Sequence, residues 1–350
     1  MANRKLSADE KTILAMFSYK RPMGSPTEQA FIDRYLTPLG FKRDSYKNLV
    51  LRVGENPRIL FSSHVDTVHV TEGIQQLHYD GATLQLAKSA RATSSCLGAD
   101  CTAGVWLMTE MVKAAVPGIY VIHHGEENGC IGSGDLAKGN PAFFDDIEAA
   151  IAFDRYGYTS VITHQMGRRT ASDAFAASFG TTLTAALDCD CGLIADDGGA
   201  YTDTNEYARL VPECTNISVG YHSQHSKNET QHVPFLILLR DGLLAMDWSK
   251  LVIERDPSVI DYGYSRGFYR GGSSNTSSRG GWADWADLDD PWNDPQNYVL
   301  PDKRNCGSLE DLVRAYPEVA ADILSSYGIT RNTMMDEISC MYGEGALEGV

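Results

Sequence analysis

Five short segments of this 350-residue chain bring a histidine or a carboxylate to the end of an apolar strand or into the turn beside it. That recurrence restricts the fold more than any other feature. Phe61 leads into His64 and Asp66, and a small-residue loop from Cys96 to Val105 holds Asp100 just ahead of a helix. Tyr120 to Ile122 delivers Glu126 and Glu127 between two glycines, residues 149–153 end in Asp154 and Arg155, and Asn216 to Val219 runs into His222 and His225. A histidine with an aspartate two residues on suits a metal ligand and the carboxylate that takes its other ring N–H. Adjacent glutamates repel, so they ask for a cation or a proton between them. A solvated acidic turn is the bland alternative for any one segment, but it does not explain why an apolar strand delivers the acids each time.

Between these segments the pattern is regular. Ser7 with Glu10 and Ser25 with Glu28 read as capping boxes, which predicts helices over 8–19 and 26–36. Residues 47–53 and 58–63 flank a Gly54 to Pro57 turn and read as a hairpin. Helical periodicity follows at 102–115 and 233–251, and short apolar strands at 118–123, 149–153, 159–163 and 215–219. Alternating strands and helices predict a layered α/β sheet, assigned to a domain spanning 1–256. Residues 257–304 turn Gly/Ser/Arg-rich and then Trp/Asp-rich, a composition that builds no core. Trp282, Trp285 and Trp292 lie in this linker, and it either docks on its own domain or recognises another protein. Helical character returns over 305–350, a small appendix expected to pack on the main domain or on another copy of the chain.

With 46 Asp and Glu against 30 Lys and Arg, the formal charge is -16. Binding nucleic acid takes basic surface, so that class of partner is excluded. No apolar run reaches membrane-spanning length and the start lacks a signal-peptide stretch, which predicts a soluble, cytoplasmic protein with no membrane partner. The eight cysteines are scattered through a chain long enough to need no staples, and they read as free thiols. The surplus acid has three possible homes: plain surface, an acidic tail, or carboxylates around metal ions.

The ordered set SHVDTV (63–68), LGADCTAGV (97–105), HGEENG (124–129), AFDR (152–155), YTDT (201–204) and SVGYHSQHSKNE (218–229) resembles the co-catalytic dizinc exopeptidases, the clan of zinc aminopeptidases and peptidase T-like tripeptidases. The resemblance spans roughly residues 40 to 250. It implies a three-layer α/β/α fold with a central mixed, mostly parallel sheet. It implies two divalent ions, zinc with cobalt or manganese as alternatives. His64 and Asp154 would hold one ion, Glu127 and His225 the other, and Asp100 would bridge them. Asp66 would orient His64, and Glu126 would be the general base and acid. Water between two such ions is acidified to a pKa of about 7, Glu126 can take its proton, and the same group can return it to the leaving amine.

Other residues stay open at this point. His222 lines the cleft or aids the oxyanion, Asp203 shapes the site or binds substrate, and Arg155 anchors a substrate carboxylate or neutralises the acids. Cys101 departs from the clan, which usually has a second acid there; a thiol in its place is a soft metal ligand or an oxidation site. The stretch from Asp154 to His225 is too short for an inserted domain of about 100 residues, which favours the single-domain, aminopeptidase-like branch. The expected function is hydrolysis of peptides or amino-acyl substrates. An N-acyl amidohydrolase and a non-catalytic metal-binding scaffold are the alternatives, and residues 257–350 are the candidate surface for self-association or a protein partner.

Overall fold

The computed structural model describes residues 5–187, 192–261 and 313. The chain divides into two units, Met1–Gly267 and Phe268–Val350, and all that follows concerns the first. The expected linker beyond residue 261 and, but for residue 313, the helical appendix lie outside the described residues.

Eight strands make the central sheet: β1 (Lys42–Arg43), β2 (Leu49–Val53), β3 (Ile59–His64), β4 (Gly118–His123), β5 (Ala149–Arg155), β6 (Ser160–Ile162), β7 (Ile194–Asp196) and β8 (Glu213–Ser218). Their spatial order is β7-β6-β8-β5-β3-β4-β2-β1. The central four, β8, β5, β3 and β4, run parallel to one another, while β2 and β1 add antiparallel at one side and β6 pairs antiparallel with β8 at the other.

Alternation along these strands divides the core. Phe61, Tyr120, Ile151 and Phe153 face one side, where α1 (Ala8–Phe17), α2 (Pro26–Tyr35), α3 (Ala99–Lys113), α5 (Asp173–Leu187) and α6 (Val233–Ala245) contribute to one apolar cluster. Leu60, Ile119, Val121 and Ala150 face the other, under α4 (Ile131–Gly139) and the 207–211 segment. Both faces are covered, as a parallel sheet requires, and the result is the three-layer sandwich.

The expected hairpin does not form. β2 and β3 lie on either side of β4, and each pairs with it rather than with the other. β4 is buried at every residue, and in the sheet centre it satisfies its backbone on both edges, which a two-stranded hairpin would deny it. Elements additional to the expected set include α4, α5, the edge strands β1 and β7, and a small four-stranded sheet of Leu77–Tyr79, Thr83–Leu86, Tyr221–His222 and Thr230–His232. α6 stops at Ala245, short of the expected 251, and Trp248–Lys250 forms a separate short turn. Packing continues past residue 256, where Arg169 pairs with Asp261 at 3.3 Å.

Candidate metal centre

Ligands in open α/β sheets gather beyond the carboxyl ends of the strands. In register, His64 ends β3 opposite His123 of β4, and Ala152 of β5 lies beside Ser62 and Asn216. The segments that follow β3, β4, β5 and β8 therefore open onto one edge of the sheet, and the candidate residues meet there.

Asp100 is the centre of the cluster. Its Oδ1 lies 3.0 Å from His64 Nε2 and its Oδ2 lies 3.1 Å from His225 Nε2. Asp154 Oδ1 is 3.5 Å from His64 Nε2, and Glu127 Oε2 is 3.2 Å from His225 Nε2. Glu126 Oε2 stands 3.8 Å from the same His64 nitrogen. The backbone delivers Asp100 by leaving helical geometry at Asp100 and Cys101, across a cis peptide between them, before α3 continues. His225 sits in a loop with two left-handed residues, Ser223 and His225 itself.

Asp66 holds this arrangement by a different contact from the expected one. Its backbone carbonyl lies 3.0 Å from His64 Nδ1, while the nearer carboxylate oxygen is 3.6 Å away. The carboxylate instead accepts the N–H groups of Gly125, Glu126 and Glu127 at 3.1 to 3.2 Å. Glu229 does likewise for another turn, accepting from Gly98, Ala99 and Asp100 at 2.8, 3.1 and 3.3 Å.

The electrostatics call for cations. Burial and like charge raise the carboxyls of Glu126 and Asp154 well above the ordinary range and push Glu127 up. Burial opposes a charge on His225, yet its bonds to Asp100 and Glu127 raise it to about 12. His64 is raised in the same way, its burial outweighed by Cys101, Glu126, Asp100 and Asp154 together. Burial and Asp100 push Glu229 up to about 8, with the Gly98 N–H pulling the other way; a cation on Asp100 would lower it. Two buried carboxylate oxygens, Glu127 Oε1 and Asp154 Oδ1, have no hydrogen-bond partner, a costly state that a metal ion relieves. Oxygen and imidazole donors suit zinc, cobalt or manganese. The residues present fit two ions that share Asp100.

The remaining candidates fall outside this inner group. Cys101 is buried, its thiol pushed up by burial to about 11; the sulfur accepts the His64 N–H at 3.3 Å and contacts the Ser63 hydroxyl. It also lies within 4.8 Å of ligand atoms of His64 and Asp154. Arg155 points away from the acids, because consecutive strand residues face opposite sides: its guanidinium bonds the Gly198 carbonyl at 3.0 Å, approaches Asp196 at 3.6 Å and stacks on Tyr156. His222 packs its ring on Tyr158. Asp203 is buried, bonded by Ser133 at 2.6 Å, and burial raises it to about 7. His123 is buried between Asn48 and Tyr207, and burial lowers it to about 3.

Several supports carry no sequence signature of their own. Thr202 donates to Asp154 Oδ2 at 2.9 Å, Asn216 accepts the Asp154 N–H at 2.9 Å, and Tyr221 donates to the Asp154 carbonyl at 2.8 Å. Thr202 and Tyr221 had only their places beside Asp203 and His222 as pointers, and Asn216 only its place on the strand that leads to His222. The described cysteines, Cys96, Cys101, Cys130 and Cys214, are free and buried. No described helix is long and apolar enough to cross a membrane.

One carboxylate shared by two histidines, at the carboxyl edge of the parallel strands, fits the class of metallopeptidases that hold two ions. The model of peptidase family M28 matches residues 48–230, more than half of the chain, and the chain belongs to that family. Among solved structures it is similar to a tripeptidase from Staphylococcus aureus (16% identity, TM-score 0.54, 67% of this chain and 95% of that one). It is also similar to the TET1 peptidase of Pyrococcus horikoshii (15% identity, TM-score 0.52, 68% and 99%) and to aminopeptidase PepT from Bacillus cereus (15% identity, TM-score 0.50, 67% and 96%). At these identities the likeness is one of fold. No curated protein sequence matches the chain.

Proposed function

We propose that the protein is an aminopeptidase or a di- or tripeptidase that releases an N-terminal residue. The observation that carries this reading is the division of Asp100, one oxygen toward each histidine. His64, Asp154 and Asp100 would hold one ion, and Asp100, Glu127 and His225 the other. Bound there, the ions supply Lewis acidity that lowers the pKa of an attacking water and polarises the scissile carbonyl.

The chain's own groups do the rest. Glu126 lies beside His64 but is the acid left over from both ligand sets, so it is free to take a proton from the water and return it to the leaving amine. Asp66 fixes the turn that carries Glu126 by holding three consecutive amides. Burial of the cluster keeps bulk water from competing for these charges. The named tripeptidase and aminopeptidase relatives support short peptides with a free amine as substrates. The free, buried state of the four described cysteines supports a reducing compartment, the cytoplasm. The TET1 peptidase of Pyrococcus horikoshii can assemble into a tetrahedron or a large octahedral shell, which supports testing the full chain for self-association through residues 257–350.

The test is direct. Purified protein should contain about two zinc ions per chain, and should hydrolyse amino-acyl amides or tripeptides but not their N-acetylated forms. Glu126→Gln should keep the metal and lose about 10²- to 10⁴-fold in kcat. Preference for the acylated substrate would instead make it a deacylase. A metal-loaded protein that cleaves neither substrate would sink the reading.

A further inference from the structure

Glu229 is a carboxylate with 1% of its surface exposed, outside the ligand set, whose two oxygens accept three consecutive backbone N–H groups at Gly98, Ala99 and Asp100. Those amides belong to the turn that presents Asp100. Glu229 itself closes the loop that presents His225, its own N–H donating to the Ser226 carbonyl at 3.1 Å, directly before the Thr230–His232 strand. The side chain thus ties together two segments that are far apart in sequence and that supply two of the three donors to one ion, Asp100 and His225. Of the three residues grouped there, Asp100, Glu127 and His225, only Glu127 is held from elsewhere, by Asp66.

We propose that Glu229 is the positioning residue for the second ion site, fixing the separation between the bridging carboxylate and His225 and so setting the affinity of that site over the first. This rests on the function proposed above. The geometry supports it in three ways. Three amides converging from one side need an acceptor with several lone pairs, which the two oxygens of a carboxylate supply. The turn it binds admits little slack: Gly98 has φ +73, and a Cβ there would meet His69 Cε1 at 2.8 Å. The loop on the other side carries left-handed backbone at Ser223 and His225, which persists only where its surroundings hold it. The first site draws His64 and Asp154 from β3 and β5, which the sheet itself fixes, so it does not depend on this tie beyond Asp100.

The experiment is metal binding by the full chain, stripped and titrated with zinc against a chromophoric chelator, for native protein, Glu229→Gln and Glu229→Asp. Gln keeps the size but turns a donor toward the amides; Asp keeps the charge but is one methylene short. Loss of a supporting contact to a metal ligand costs about 10- to 100-fold in affinity. Both variants should therefore bind the first ion as native protein does and the second about 10- to 100-fold more weakly, with Asp the milder. Activity should recover toward the native value at high zinc, as the weakened second site fills. Native-like affinity at both sites in either soluble variant, or an equal loss at both sites, overturns the proposal. Native protein that binds fewer than two ions would overturn the underlying dizinc reading instead, whatever the variants do.

Discussion

Asp66 does more than its spacing from His64 implies. Its carbonyl meets the imidazole, and its carboxylate gathers the amides that open the Glu126 turn, so one residue orients a ligand and the base together. A buried carboxylate accepting several amides favours its charged form; burial opposes this, but His64 and the amides prevail and hold Asp66 below the ordinary range. Asp66→Asn keeps the shape but presents a donor to amide donors. We expect it to lower kcat by about 10- to 100-fold while the metal content stays near native, measured by metal analysis beside steady-state kinetics. A large loss of bound zinc with kcat per loaded site unchanged would show that Asp66 acts on His64 alone. Cys101 illustrates the opposite case: the residue type suggests reactivity, but its burial and raised pKa leave a thiol that accepts the His64 N–H.

At the scale of elements, the site depends on how closely α3 approaches the sheet. Gly104 is buried on that helix, and a Cβ there would collide with the Phe153 carbonyl and the Ser63 hydroxyl. Gly104→Ala should force α3 away from β3 and β5. Overpacking of this kind costs about 1–3 kcal/mol, a fall of several degrees in the unfolding midpoint for a domain of this size, and the displaced Asp100 should weaken both ions. An unchanged midpoint and zinc affinity would mean that the contact is slack. The same close packing explains what the sequence could and could not disclose. His64, Glu126, Glu127, Asp154 and His225 were legible because strands buried on both faces read as apolar runs, and a charge at the end of such a run stands out. The hairpin was misread because pairing order is set by what β4 needs, which lies more than fifty residues downstream. α5 was hidden because its Thr- and Gly-containing sequence has modest helix propensity, and it is held by burying Phe175, Phe179 and Leu183. The small sheet was hidden because strands of two to four residues leave no period to read. Arg155 looked like a site residue by adjacency, whereas strand alternation sends it to Asp196.

For the whole molecule, the acidity and the buried cluster bear on one question: what carries positive charge into the pocket. Without metal it is protons. His225 is raised to about 12 and His64 is raised above the ordinary histidine value. Stability from groups raised in this sense is fully present below the unfolded value of about 6.5 and drains as pH rises toward the folded value. His69 and His123 act oppositely: burial lowers them to about 4 and about 3, so their contribution is present above pH 6.5 and is lost as pH falls through the folded values. The raised carboxyls, Glu229 at about 8 and Asp203 at about 7 among them, act in the same direction as His64 and His225, so metal-free protein should lose stability from pH 6.5 to pH 9. With metal the sign reverses over that window. Binding requires neutral histidines and ionised carboxylates, so it releases protons and strengthens as pH rises, and ligand binding to the native state alone adds RT ln(1 + [L]/Kd) to its stability. Calorimetric scans of stripped and zinc-loaded protein at pH 6, 7, 8 and 9 should diverge, the gap between midpoints widening with pH. Parallel curves would mean that zinc does not replace those protons, and the shared Asp100 would then be a hydrogen-bonded ion cluster rather than a metal bridge.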